Sequence, residues 1–381
     1  MVAAATLVAA LPQKPAPKKA AAKSARKFVA AKPQPRVVKA AVVRAAQTRR
    51  IATGPWRVPT YADSKAGDNF SMDDPLVRRA AVEALSSLNG SIVVAEAETG
   101  RVLTIVNQKL AFRDGFEPCS TIKVPVALGA LSEMIVERNT PVRLNRWKSI
   151  DLTDALAKSN NEYFASMGEQ LGFDRVSYYA HIFGLGEKAA INLDEEQPGR
   201  LPAGIPRGGL GMMTSFGEGI SQTPLQLAAE MVAVANGGTL FYLQYPRSEE
   251  QAETFMPRIK RQLDFDPLIQ EVLPGLKGAV DYGTARRIDE TSEHIFGKTG
   301  TCTDERSPTH LGWFGSFMDT PRGKIVAAVL LTGGRPVSGP LAAGVAGQFY
   351  HNLEINGYFL ARGQQTEASL IPGFPGARTY R

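Results

Sequence analysis

Glu117-Pro118-Cys119-Ser120-Thr121-Ile122-Lys123-Val124-Pro125-Val126-Ala127-Leu128 begins a run that stays apolar nearly all round, through Leu131, Met134, Ile135 and Val136. No polar stripe divides it, so it predicts a helix from Ser120 to about Glu137, buried inside a domain rather than lying on its surface. Its first turn nevertheless carries a hydroxyl at Ser120 and an amine at Lys123, three residues apart and hence on one helical face. A serine beside a largely desolvated lysine is a way to build a nucleophile without histidine. The pattern alone is weak, because Ser24-Ala25-Arg26-Lys27 repeats it in what reads as a disordered tail.

The 381 residues allow one large domain or two modest ones, with ample core. Of 44 Lys/Arg, 12 lie in the first fifty residues, which hold no acid; residues 51–381 carry 32 basic against 37 acidic groups, a net of −5. The basicity belongs to a tail and the body is mildly acidic, which argues against nucleic-acid binding by the body. Residues 1–75 read as an Ala/Lys/Pro-rich basic linker, with 51–75 leading into the body, because such a segment buries too little apolar surface to offset its ordering entropy. The apolar start, Val2 to Leu11, falls short of the about 20 residues a spanning helix needs. It has no basic residue before it, as a signal peptide would; a truncated export segment is the alternative, and membrane anchoring is undetermined.

Outward from Ser120, Pro75 to about Leu88 has helical spacing, and Gly90–Glu96 and Arg101–Val106 read as strands joined by a turn at Ala97-Glu98-Thr99-Gly100. A short helix ends near Ser159, where another begins, punctuated by Gly172; a further one covers Arg175 to Phe183. Ile191 to Met213 reads as loop. Thr223-Pro224-Leu225-Gln226 is a strong helix start: cap, proline at the first position, capping-box glutamine. That helix should stop at Gly237-Gly238. Pro267 to Tyr282 and Leu341 to Asn352 read as helices; Ile295–Cys302, His310–Phe317 and Lys324–Leu331 read as strands. Two early strands, a helical middle and three late strands predict an α+β fold. Over residues 76–355 one antiparallel five-stranded sheet would be flanked by helices and carry a central helical subdomain, with a tail at 356–381.

Three signatures follow in order: Ser120-Thr121-Ile122-Lys123 at a buried helix start, Ser159-Asn160-Asn161 at a helix junction, and Lys298-Thr299-Gly300 in a strand. Each is weak singly; Ser87-Leu88-Asn89 also matches the second. Together they form the pattern of penicillin-recognising serine acyl-transferring enzymes. Over residues 85–355 the chain resembles the transpeptidase domain of penicillin-binding proteins (the β-lactamase-like superfamily). The likeness extends to Gly90-Ser91-Ile92-Val93-Val94, to Gly217–Ala228 with Ala235-Asn236-Gly237-Gly238, and to Gly312-Trp313-Phe314-Gly315-Ser316-Phe317.

The resemblance implies roles. Lys123, neutral by burial near other positive groups, would take the Ser120 proton. Ser159 would pass a proton to the departing amine, and Asn161 would bond both Lys123 and the substrate amide. Lys298, with the hydroxyls of Thr299 and Thr301, would cradle a substrate carboxylate beside Gly300. The backbone N–H groups of Ser120 and Thr301 would form the oxyanion hole. The plainer readings are a solvated strand lysine for Lys298 and a helix cap for Ser159 and Asn161. His181, His294, His310 and His351 show no metal spacing, so neither metal nor cofactor is expected. Glu195 and Glu196, before Pro198-Gly199, match a family loop and read as structural.

Class A carbapenem-hydrolysing β-lactamases are similar at Cys119 and Cys302, where they carry a disulfide. The resemblance therefore implies a Cys119–Cys302 bridge and an oxidising compartment in the cell envelope; two small buried thiols are the alternative. The implied activity is D,D-transpeptidation of peptidoglycan stem peptides ending in D-Ala-D-Ala through a serine acyl-enzyme, with β-lactams as inhibitors or substrates. A D,D-carboxypeptidase, β-lactamase or β-lactam sensor is the second reading, and a catalytically silent cell-wall scaffold the third.

Overall fold

The computed structural model describes residues 56–288, 294–304 and 308–359. The sequence places one long sheet at the centre of the body, and its alternation explains why. Strands β1 (Gly90–Glu96), β2 (Val102–Val106), β7 (Ile295–Asp304), β8 (Thr309–Met318) and β9 (Ile325–Gly333) pair antiparallel in the order β2-β1-β9-β8-β7. Every residue of β9 is buried. Val326, Ala328 and Leu330 enter one apolar core with Val93 and Ala95; Ile325, Ala327, Val329 and Leu331 enter a second with Ile92 and Val94. A period of two thus gives the sheet two apolar faces, each of which must be covered.

Helices α1 (Pro75–Leu85) and α10 (Gly339–Ile355) supply side chains to the second core. On the first face lie α3 (Lys123–Ser132) and α7 (Pro224–Ala235), all twelve residues of which are buried. The α7 start has the expected capping box: Thr223 Oγ1 accepts from the Gln226 N–H and Gln226 Oε1 from the Thr223 N–H. Between β2 and β7 the chain builds the helical subdomain from α4 (Leu152–Ala157), α5 (Asn161–Ile182), α6 (Gly209–Phe216) and α9 (Asp266–Asp281). No described helix is long and apolar enough to cross a membrane.

Several expectations change. The run from Ser120 is a tight 3-10 turn, Cys119–Ile122, followed by α3, which ends at Ser132 rather than near Glu137. The end is a left-handed residue, Met134 at φ 54°, with the Ile135 N–H reaching back to the Ala130 carbonyl. Glycine usually holds that place, so nothing in the sequence marked it. The expected break at Gly172 is there: its φ of 75° and ψ of 163° are non-helical and divide α5 into two helical segments. The stretch read as loop to Met213 holds the start of α6, hidden by Gly208, Gly209 and Gly211. Two small antiparallel pairs, β3 (Val142–Asn145) with β4 (Lys148–Ile150) and β5 (Thr239–Phe241) with β6 (Ile259–Gln262), were not foreseen.

Residues 56–74, placed in the linker, instead pack on the body. Arg78 pairs with Asp68 at 2.7 Å, Asp68 accepts from the backbone of Asn107 and Gln108, and Asp74 caps α1. With these carboxylates, the Ala62–Ser87 and Asn89–Thr60 backbone bonds and the Trp56–His310 ring contact fasten the segment to the body. The rest of the expected linker, the second Ser-x-x-Lys match at Ser24 and the tail from 360 onward lie outside the described residues.

Candidate active site

Ser120 sits in the 3-10 turn, 8% exposed, directly after Cys119, whose φ of 52° is left-handed. The turn sets the spacing of three, and Lys123 Nζ lies 3.0 Å from Ser120 Oγ. The same amine reaches the Ser159 carbonyl at 3.0 Å, Ser159 Oγ at 3.1 Å and Asn161 Oδ1 at 2.6 Å, and it lies 5.5 Å from the centre of the Phe164 ring. Ser120 Oγ also donates to the Ser215 carbonyl at 3.3 Å.

The second motif arrives by a helix junction. Ser159 is left-handed, at φ 54°, between α4 and α5. The helix cap is Asn160, whose side chain accepts from the Tyr163 N–H. That leaves Ser159 and Asn161 free to aim inward. From β7, Lys298 Nζ donates to Ser159 Oγ at 2.9 Å and to the Thr299 carbonyl at 3.0 Å. One hydroxyl therefore bridges two amines, both wholly buried. Burial, and after it the Lys298 ammonium, pull the Lys123 amine down to about 6; burial pulls Lys298 down to about 7. Near neutrality an amine of this kind has a free lone pair, as a general base requires.

The sheet brings five of the singled-out side chains together: Ser120, Lys123, Ser159, Asn161 and Lys298. Among the described residues no hydrogen bond joins the Thr299 or Thr301 hydroxyl to them. Successive strand residues point to opposite faces, and Thr299 Oγ1 lies 2.5 Å from Thr284 Oγ1 while Thr301 Oγ1 accepts from the Gly339 N–H at 2.7 Å. Thr299 and Thr301 therefore leave β7 on one face and Lys298 on the other. Gly300 faces the nucleophile's turn: a Cβ there would lie 2.9 Å from the Pro118 carbonyl oxygen and 3.2 Å from Cys119 Cβ. β7 is an edge strand, so alternate backbone N–H and C=O groups point away from β8 toward the site.

A disulfide joins Cys119 to Cys302, with the Cα atoms 5.5 Å apart. It fastens the turn to β7 two residues beyond Gly300, and Trp313 Nε1 donates to the Glu117 carbonyl at 2.8 Å behind it. Ser215, Thr284 and Trp313 were not singled out as site residues, and only Trp313 fell in a stretch of family likeness. Glu196 is buried, accepts from the Ala189 and Ala190 N–H groups and is pushed by burial up to about 7, a loop fastener. No group of His, Cys, Asp or Glu able to hold a metal occurs among the described residues.

A buried serine hydrogen-bonded to a buried lysine is the arrangement that serine acyl transfer uses. The sequence profile of the penicillin binding protein transpeptidase domain matches residues 90–351, and the chain belongs to that family. It is similar to Stage V sporulation protein D of Bacillus subtilis, 28% identical over 236 residues, covering 55% of this chain and 36% of that protein. It is likewise similar to the peptidoglycan D,D-transpeptidase FtsI of Escherichia coli, 25% identical over 284 residues, 61% of this chain and 48% of FtsI. The chain therefore spans between a third and a half of the length of these relatives. Among solved structures, Pseudomonas aeruginosa PBP2 in complex with WCK 5153 has the same fold, with a TM-score of 0.64, 22% identity and coverage of 77% of this chain and 76% of that one.

Proposed function

We propose that this chain is a penicillin-binding D,D-transpeptidase that cross-links peptidoglycan stem peptides through an acyl-enzyme on Ser120. The observation that carries the reading is the single amine of Lys123, within hydrogen-bond reach of Ser120, Ser159 and Asn161 at once. Ser120 Oγ attacks the carbonyl of the penultimate D-Ala and its proton passes to Lys123. Ser159, bonded to both lysines, hands a proton to the nitrogen of the departing D-Ala as the C–N bond breaks. The acyl group stays on Oγ until the amine of a neighbouring stem attacks and the protons return by the same route. Asn161 orients Lys123 and receives the substrate amide. The Ser120 and Thr301 N–H groups hold the oxyanion, each contributing about 3 kcal/mol. Lys298, on the edge strand with Thr299, Gly300 and Thr301, attracts the substrate carboxylate. Residues 76–355, with 56–74 packed on them, serve as the transpeptidase domain, preceded by a linker and followed by a tail from 356. The disulfide and the cell-wall relatives support a site of action outside the cytoplasm.

Labelling with a fluorescent penicillin tests this: the wild-type chain should carry a stable label and Ser120→Ala none. An unlabelled wild type overturns the reading, and a label lost as fast as it forms shifts it to a β-lactamase. Gly300→Ala, whose methyl would meet the Pro118 carbonyl, should displace the nucleophile's turn and slow labelling about tenfold or more. Labelling at the wild-type rate would show that the turn can give way at no cost.

A further inference from the structure

A second set of buried polar contacts starts from Thr121, the residue after Ser120. Thr121 Oγ1 lies 2.8 Å from the Pro118 carbonyl and 3.0 Å from Gln222 Oε1; Gln222 Nε2 donates to Glu230 Oε2 at 3.0 Å. Thr121, Gln222 and Glu230 are all wholly buried. Gln222 also pairs its backbone with Phe116, whose N–H it accepts at 2.9 Å and whose carbonyl it reaches at 2.8 Å. Glu230 lies on α7 among apolar side chains, and its Oε1 has no partner among the described residues. Burial pushes its carboxyl up to about 8, so near neutrality it is mostly an uncharged acid.

We propose that Thr121, Gln222 and Glu230 form a chain of positioning residues that locks the nucleophile's turn onto α7, the counterpart of the disulfide that locks it onto β7. The inference rests on the acyl-transfer reading of Ser120. Cys119 and Thr121 flank the serine, and each is tied to a different element. Glu230 accepts from the Gln222 amide and thereby turns its carbonyl toward Thr121. The Thr121 hydroxyl has one proton and two acceptors in reach, so that amide orientation decides how firmly the Pro118 carbonyl is held. Pro118 closes the 3-10 turn, since the Thr121 N–H also bonds its carbonyl at 3.2 Å. A tilt of this turn moves Ser120 Oγ and the Ser120 N–H together. It alters the reacting geometry without touching the surface that binds substrate.

Penicillin acylation of the full chain, followed as a function of penicillin concentration, separates limiting rate from half-saturation. Amide hydrogen exchange in the peptide 116–123 reports the turn directly. Thr121→Val keeps the volume and should lower the limiting rate about tenfold while leaving half-saturation within about twofold, with faster exchange in the peptide. Glu230→Leu should do the same, and Glu230→Gln, which keeps an acceptor for the Gln222 amide, should recover most of the loss. Wild-type rate and exchange in Thr121→Val would overturn the proposal, as would Glu230→Gln being as slow as Glu230→Leu. If the wild-type chain takes no penicillin, the function proposed above fails, and the exchange comparison still decides whether these residues hold the turn.

Discussion

Lys123→Ala is expected to slow the acylation of Ser120 by penicillin by about three orders of magnitude, the scale of a lost general base. The amine touches Ser120, Ser159 and Asn161 together, and no second amine is bonded to Ser120 among the described residues. Lys298 reaches Ser159 but has no bond to Ser120, so it should not substitute. The pH dependence gives the sign. Lys123 acts as a base only when neutral, so the rate should rise with pH through about 6; Lys298 serves the substrate only as a cation, so the rate should fall again above about 7. The two amines share Ser159, and the observed midpoints belong to the pair. Rapid-mixing kinetics from pH 5 to pH 9 check both limbs. A Lys123→Ala protein acylating within about tenfold of the wild type, or a wild-type rate flat across that range, would remove Lys123 from the role.

Breaking the Cys119–Cys302 bridge, by reduction or as Cys119→Ser, should lower the stability of the fold by about 5 kcal/mol at most, because it reopens a loop of 183 residues. That corresponds to a fall in the melting temperature of roughly 10 °C. The nucleophile's turn should loosen as well, since the bridge is its covalent tie to β7, and acylation should slow about tenfold. Thermal melts with and without dithiothreitol, paired with labelling of the still-folded protein at 20–25 °C, separate the two effects. Unchanged melting on reduction would mean that the native contacts already supply what the bridge was thought to add.

The neighbourhood of Ser120 and Lys123 was legible because a helical turn fixes a spacing of three, and α7 was legible because Thr223, Pro224 and Gln226 each state a position in a helix start. Long-range chemistry was less so. The meeting of Ser159 with both lysines depends on a left-handed residue at a helix junction, which serine does not announce. Thr284 reaches Thr299 only because the chain after α9 happens to pass β7. One placement was legible in advance: adjacent strand residues point to opposite faces, so the Lys298 and Thr299 side chains leave β7 on opposite sides. The early end of α3 at Met134 had no local signal, since the residue that should be glycine is not.

Cys119 and Ser159 share a further property: both are left-handed non-glycine residues, each costing on the order of 1 kcal/mol relative to a relaxed backbone. Glycine would relieve either one. At Cys119 it would delete the bridge, and at Ser159 the hydroxyl between two amines. At these two positions the relief is therefore closed to the domain for as long as it keeps its chemistry and its bridge, whereas at Met134 it stays open. A selection for heat resistance alone, with no demand for activity, should release Ser159 to glycine and keep Cys119, whose bridge outweighs its backbone strain.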